Sequence, residues 1–332
     1  MKVFEVTAGA SSLDGLAAAE RPKPEPGPSG VLVRLQAASL NFRDLAIVRG
    51  KYIGGPVTHD TIPLSDGAGV VESVGDGVDG FKPGDRVTAM FAQGGPMRTL
   101  GSPLDGTLAE YAVFDQAGVL KIPDALSFEQ AATLPCAGVT AFDALTEGKR
   151  VRPGDTVLTL GTGGVSIIAL QLAKAAGARV IVTSSSDEKL ARARELGADI
   201  GINYREHTDW DRAVLDATEG AGADHVIDLG GVGTLPKSYQ CVAAGGEIKL
   251  IGVMTLPDGD LSPYPLMFKG ATLRGIFVGR SPKDLFAGLL DAIRHNGIEP
   301  VIDKVFAFDE AREAYEYLAS ARHFGKIVIR IA

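Results

Sequence analysis

Cysteine is nearly absent: the chain carries only Cys136 and Cys241 among its 332 residues. Two thiols are too few for a disulfide framework and too few for a four-thiolate structural zinc. Histidine is as sparse. His59, His207, His225, His295 and His323 are scattered, no two at the spacing that shares one helix face, so metal chemistry loses its usual ligands. No apolar run approaches the roughly 20 residues needed to span a bilayer, and no membrane partner is expected. Basic blocks are missing too. A formal charge of -8 without long runs disfavours a nucleic-acid partner, which calls for lysine and arginine concentrated on one surface. The opening MKVFEVTAGA reads as a strand and a turn, lacking the charged head and continuous apolar stretch of a secretory signal. The cytoplasm is the expected location.

What is there describes a globular protein large enough for two domains, because a chain of 332 residues exceeds the size at which one core keeps growing. The first third holds short alternating or β-branched runs, Val31 to Leu35, Gly69 to Val74, Asp85 to Ala89 and Ala109 to Val113, separated by Gly, Pro and Asp. Short strands joined by tight turns are predicted. Four prolines and two glycines between Arg21 and Gly30 suit an extended surface connection. From about Phe128 apolar strands alternate with helical periodicity, which implies a parallel sheet covered by helices. The units run strand 156–160, helix 164–176, strand 179–183, helix 187–196, strand 225–228 and strand 247–252. A strand over 272–278, a helix over 282–296 and a strand over 326–331 remain and need a sheet to join. Placed back on the first domain, they make the second an insertion: residues 1–126 with 269–332, and residues 127–268. The fold class is α/β, a β-rich domain carrying an inserted doubly wound parallel sheet.

The strand Val157 to Leu160 runs into Gly161-Thr162-Gly163-Gly164-Val165-Ser166, and an apolar helix follows. Strand, glycine turn and helix in this order form a dinucleotide cradle: glycines let the backbone approach a pyrophosphate, and the helix N-terminus holds its charge. The last motif position is Ser166 rather than Gly or Ala. The next strand ends at Ser184, where a free ribose hydroxyl would call for Asp or Glu. A carboxylate would repel a 2′-phosphate, whereas Ser184 and Ser185 can donate to it and Lys189 can pair with it, each charged hydrogen bond contributing about 1.5–3 kcal/mol. NADPH is therefore the expected cofactor. Ser185 can also cap the following helix in a box with Glu188, while Tyr204 and Arg205 close over the adenine side.

With these motifs stand Ser39-Leu40-Asn41-Phe42-Arg43-Asp44, the run Ser65 to Gly75 (SDGAGVVESVG), Pro83 to Val87 (PGDRV) and Ala131 to Ala141 (AATLPCAGVTA). On them the chain resembles, from end to end, the quinone oxidoreductase branch of the medium-chain dehydrogenase/reductase family, including proteins labelled zinc-type alcohol dehydrogenase-like. The resemblance implies a GroES-like catalytic domain with an inserted Rossmann domain, a homodimer paired through Val253 to Val278, and further cofactor contacts at Thr140, Ile251, Gly252, Val253, Phe277 and Val278.

Zinc-bearing relatives supply a cysteine at Asn41, a histidine at Ser65, a glutamate near Asp66 and a further cysteine near Cys136; only the last is retained. An amide and a hydroxyl are poor zinc ligands, and no cysteine lies between Val87 and Tyr111 for the structural zinc lobe. No metal is expected, and Cys136 reads as packing rather than a nucleophile. Without a metal to polarise a carbonyl, hydride delivery to an activated acceptor, a quinone or an α,β-unsaturated carbonyl, is the easier chemistry. By resemblance Asn41 and Tyr52 are the donors to the acceptor oxygen, and Asp44 holds the loop or relays a proton. As plain structure, Asp44 would cap a helix and Tyr52 would be a loop aromatic. Ala46 excludes the tyrosine donor that many relatives carry there. Enoyl-thioester reduction, alcohol or aldehyde oxidoreduction, and a redox sensor that binds NADPH without turnover stay open as alternatives.

Overall fold

The structure, a computed structural model, describes residues 1–252 and 261–332. Its first unit begins with the antiparallel pair β1 (Lys2–Val6) and β2 (Leu16–Glu20). The proline-rich connection that follows has no regular structure. It leads into β3 (Gly30–Leu40), the long central strand of a seven-stranded sheet. Helix α1 (Phe42–Val48) follows at once. Strands β4 (Asp66–Val74) and β6 (Tyr111–Asp115) pair with β3, while β5 (Arg86–Ala89) and β7 (Val119–Lys121) extend the sheet beyond β4, all antiparallel. Helix α2 (Phe128–Ala132) packs on β3 and β4.

The second unit takes residues 140–277 and begins within α3 (Val139–Thr146). It then alternates strand and helix, with β10, α6, α7 and α8 added to the elements read from the sequence: β8 (Thr156–Leu160), α4 (Gly164–Ala175), β9 (Arg179–Ser184), α5 (Asp187–Glu195), β10 (Ile200–Asn203), α6 (Trp210–Ala217), β11 (Ala223–Asp228), α7 (Leu235–Cys241), β12 (Val242–Leu250), α8 (Tyr264–Lys269) and β13 (Thr272–Gly275). Every residue of β8 is buried, as a parallel strand covered on both faces requires. All strand pairings are parallel, in the order β10-β9-β8-β11-β12-β13. This is the doubly wound arrangement, with its direction reversing between β8 and β11, where such sheets bind ligands.

The chain then returns to the first unit through α9 (Lys283–Asn296), β14 (Ile302–Ala307), α10 (Ala311–Ala319) and β15 (Lys326–Arg330). Strand β15 lies between β14 and β3, antiparallel to β3. The units divide at 139/140 and 277/278, later than the expected 126/127 and 268/269. Two placements move the breaks. Helix α2 belongs with β3, and β13 pairs with β12 in the inserted sheet rather than returning to the first domain, register Glu247↔Thr272 to Leu250↔Gly275. No described helix is long and apolar enough to cross a membrane.

Candidate functional site

In the second unit the glycine turn sits at the carboxyl end of β8. Gly161 has φ +81°, a conformation costly for any residue with a Cβ, and its N–H donates to Thr183 Oγ1 at 3.3 Å. Gly163 is the N-cap of α4 and offers no side-chain cap, so the first amides of a 12-residue helix are left to an external acceptor. A Cβ on Gly161 or Gly163 would meet no protein atom within 4 Å, so the space over the turn is open. Ser166, the departure from the motif, is fully buried and donates to Leu160 O at 2.9 Å, tying helix to strand. Thr162 is buried, while Gly164 and Val165 are half-buried at the helix start.

At the end of β9, Ser184 is buried and its Oγ accepts the Ser186 N–H at 3.3 Å. The cap of α5 is Ser186, whose Oγ accepts the Lys189 N–H at 3.4 Å, and not Ser185 as the sequence suggests. Three consecutive serines leave the capping frame open by one residue. Ser185 and Lys189 are half-buried there. Tyr204, beyond β10, is 41% exposed and donates its N–H to Ser184 O at 2.9 Å. Ile251 follows β12 with its N–H on Asp228 O at 2.9 Å, and a Cβ on Gly252 would lie 2.2 Å from Leu229 O, so only glycine fits. Phe277 lies two residues past β13 and Thr140 is buried in α3; Val278 opens the return segment, and Val253 lies outside the described residues.

Sequence reasoning missed Asp228, at the end of β11 beside the switch point. Fully buried, it accepts from the N–H groups of Gly230 and Gly231 and from the hydroxyls of Thr234 and Ser238 at 2.6 Å each, so it fixes the turn there. Its signal was present in the run Asp228-Leu229-Gly230-Gly231, a second glycine turn after an apolar strand.

In the first unit a buried charge cluster gathers where β3 ends, β4 begins and β15 begins. Asp44 accepts the Asn41 N–H at 2.8 Å, so it does hold the start of α1, and its other oxygen is 3.2 Å from Arg43 Nη1. Burial pushes the Asp44 carboxyl up to about 6 against the pull of Arg43. The guanidinium of Arg43 donates to Leu100 O at 2.9 Å and lies between the rings of Tyr52 and Phe91, at 4.9 and 4.8 Å. Tyr52 is thus packed, rather than a free loop aromatic. Asp66 accepts from Ser65 Oγ at 2.7 Å and from the Cys136 N–H at 3.2 Å, the latter presented by a π-helical turn over Leu134–Gly138.

Lys326, which sequence reasoning passed over, completes the cluster. It is 3% exposed, donates to Leu40 O and to Asn41 Oδ1 at 2.7 Å, and lies 3.9 Å from Asp66 Oδ2. Burial lowers its pKa, opposed chiefly by Asp66. Its only sequence signal is a lone cation opening the apolar run KIVIR.

The four positions that hold catalytic zinc in zinc-bearing relatives do not fit that ion. Asn41 and Ser65 offer an amide and a hydroxyl, and both Asp66 oxygens already accept hydrogen bonds, so Cys136 alone keeps a donor free for zinc. An ammonium stands among them. Among the described residues no three His, Cys, Asp or Glu side chains are grouped to hold a metal.

The family model of the alcohol dehydrogenase GroES-like domain matches residues 27–124, and that of the zinc-binding dehydrogenase matches residues 164–295. A zinc-type alcohol dehydrogenase-like protein of Schizosaccharomyces pombe is 46% identical over 92% of this chain and 91% of its own. The quinone oxidoreductase of Rattus norvegicus is 30% identical over 92% and 90%. Among solved structures, an NAD-dependent alcohol dehydrogenase superposes with a TM-score of 0.91 at 34% identity, and a mycobacterial protein complexed with NADPH with 0.85 at 28% identity, each over 100% of both chains. With strand order, glycine turn and motif positions all in agreement, the chain is a member of the medium-chain dehydrogenase/reductase family, an oxidoreductase fold of its quinone oxidoreductase-like branch that binds a nicotinamide cofactor.

Proposed function

We propose that the protein is an NADPH-dependent, zinc-independent reductase of quinones or α,β-unsaturated carbonyl compounds. The observation that carries this reading is the ammonium of Lys326 among four positions of which two, Asn41 and Ser65, lack a zinc donor. Lacking a Lewis acid there, the pocket suits an acceptor that is already electrophilic and needs only orientation and a hydrogen-bond donor. The cofactor supplies a hydride. The amides of Gly161 to Val165 hold its pyrophosphate, Ser184, Ser185 and Lys189 its ribose phosphate, and Tyr204 the adenine side. Thr140, Ile251, Gly252, Val253, Phe277 and Val278 belong to the nicotinamide end. Asn41 and Tyr52 serve the acceptor oxygen. Asp44, with both oxygens engaged, holds the loop rather than relaying a proton.

The test is oxidation of NADPH and NADH against a panel of quinones, enones, enoyl thioesters and aldehydes. Turnover of quinones or enones with NADPH at least tenfold preferred is expected; turnover confined to an alcohol–aldehyde pair with NADH defeats the reading. The NAD-dependent relative makes the coenzyme choice a real contest. In Ser184→Asp the new carboxylate repels the phosphate and accepts a ribose hydroxyl, so the NADPH/NADH ratio of kcat/KM is expected to fall at least tenfold. An unchanged ratio removes Ser184 from the phosphate site.

We further propose a homodimer. Strand β13 is an edge of its sheet, with Leu273 exposed on it, and Tyr264, Met267 and Phe268 of α8 are exposed, Phe268 by 81%. An uncovered edge beside apolar side chains is suited to self-pairing. Size exclusion is expected to give twice 34.6 kDa, and Phe268→Asp to shift it toward monomer; a monomer at all concentrations overturns this.

A further inference from the structure

We propose that Lys326 is a positioning residue that takes the place of a metal cation: it fixes the Asn41 amide with oxygen inward, leaving the Asn41 nitrogen as the donor to the substrate's acceptor oxygen. The inference rests on the reading of the protein as a reductase of activated carbonyls, and deepens it by naming what orients the donor.

A lysine ammonium has three N–H donors and no acceptor. With Lys326 Nζ 2.7 Å from Asn41 Oδ1, the amide cannot be turned over, because its NH2 would then face the ammonium. The outcome is visible on the other side of the amide. Asn41 Nδ2 is buried and has no hydrogen-bond partner within the protein, a state that protein interiors mostly avoid and that a bound acceptor would relieve. The orientation is held from three further directions. Lys326 is anchored on Leu40 O, Asp66 lies 3.9 Å from its nitrogen, and the Asn41 N–H is fixed by Asp44.

Charge supports the same assignment. Arg43 and Lys326 face Asp44 and Asp66, two cations against two anions, all buried. A divalent metal in the place of Lys326 would leave the set with one net positive charge, whereas the ammonium balances it. In the reaction, the cofactor would supply a hydride that forms a C–H bond at the β-carbon, the C=C pair would shift to join the α-carbon to the carbonyl carbon, and the carbonyl π pair would move onto its oxygen. The nicotinamide is oxidised, the acceptor is reduced, and water supplies the proton. Asn41 Nδ2 donates a hydrogen bond to the oxygen as it gains charge and gives up no proton.

The experiment uses the full-length protein and three variants, Lys326→Gln, Lys326→Arg and Asn41→Asp, each assayed for NADPH binding by fluorescence, for kcat and KM with an enone that the parent reduces, and for zinc by elemental analysis. Lys326→Gln, which can hold the amide in either orientation, is expected to lower kcat/KM for the enone at least tenfold with NADPH affinity unchanged. Lys326→Arg is expected to recover most of that loss. Asn41→Asp keeps an oxygen for Lys326 and removes the donor, so at least a twentyfold loss is expected. Retention of kcat/KM within threefold in Lys326→Gln or in Asn41→Asp, or about one zinc per chain in the parent, overturns the inference. Should Lys326→Gln not fold, Asn41→Asp decides alone. A parent that binds NADPH but reduces no activated carbonyl defeats the underlying functional reading instead, and is recognised before any variant is made.

Discussion

Gly161→Val is expected to raise the dissociation constant for NADPH at least a hundredfold while the protein stays folded. The residue sits at φ +81°, where a β-branched side chain is strained by about 1–3 kcal/mol, so the turn must reshape. Reshaping withdraws backbone amides from the pyrophosphate. Charged hydrogen bonds contribute about 1.5–3 kcal/mol each, and two of them account for a hundredfold or more. The side chain would also enter the open space over the turn, where no protein atom lies within 4 Å of its Cβ. Fluorescence titration with NADPH, with a melting curve to confirm folding, is the measurement. Affinity within threefold of the parent would remove the glycine turn as the phosphate cradle.

The second large effect is on stability and concerns a buried ion pair on β12 of the same sheet. Lys249, fully buried on β12, has Glu247 as its carboxylate partner and donates also to the carbonyls of Glu147 and Lys149. Glu247 in turn accepts the Lys149 N–H at 2.7 Å and lies 3.5 Å from Arg274. In Glu247→Leu the buried amine, whose pKa burial already lowers to about 7, loses its carboxylate partner, and a loss of about 1–3 kcal/mol in unfolding free energy is expected. The double change Glu247→Leu with Lys249→Met removes both charges and is expected to restore more than half of it. Urea denaturation of the parent, both single variants and the double variant closes the cycle. A double variant as unstable as the sum of the singles would show that the pair is not coupled.

The strand, glycine turn and helix at the start of the inserted unit were legible in the sequence because their signals are local. The strand 156–160, the turn at Gly161 and the helix that follows are consecutive, and each constrains the next. Register between distant segments is not written this way. Strand β13 carries only the letters TLRG, which serve either sheet equally, and its pairing with β12 is set by contacts across more than twenty residues. Strand β10 is four residues and fell below the threshold of a visible pattern. The charge cluster was legible only in half. Asn41 and Asp44 share one short motif, but Lys326 reaches them from 285 residues away, and a single cation before an apolar strand gives no hint that it is buried.

That separation also bears on how the molecule is made. During synthesis the inserted unit is complete once Phe277 has emerged, while β3 waits for β15 to cover part of its edge. Until then Arg43 faces two carboxylates alone, an uncompensated negative charge that opposes closure of the interior around Asp44 and Asp66. Arrival of Lys326 removes that opposition and orients Asn41 in the same step. A chain ending before Lys326 would therefore hold every strand of the inserted sheet while β3 lacks the neighbour that β15 supplies.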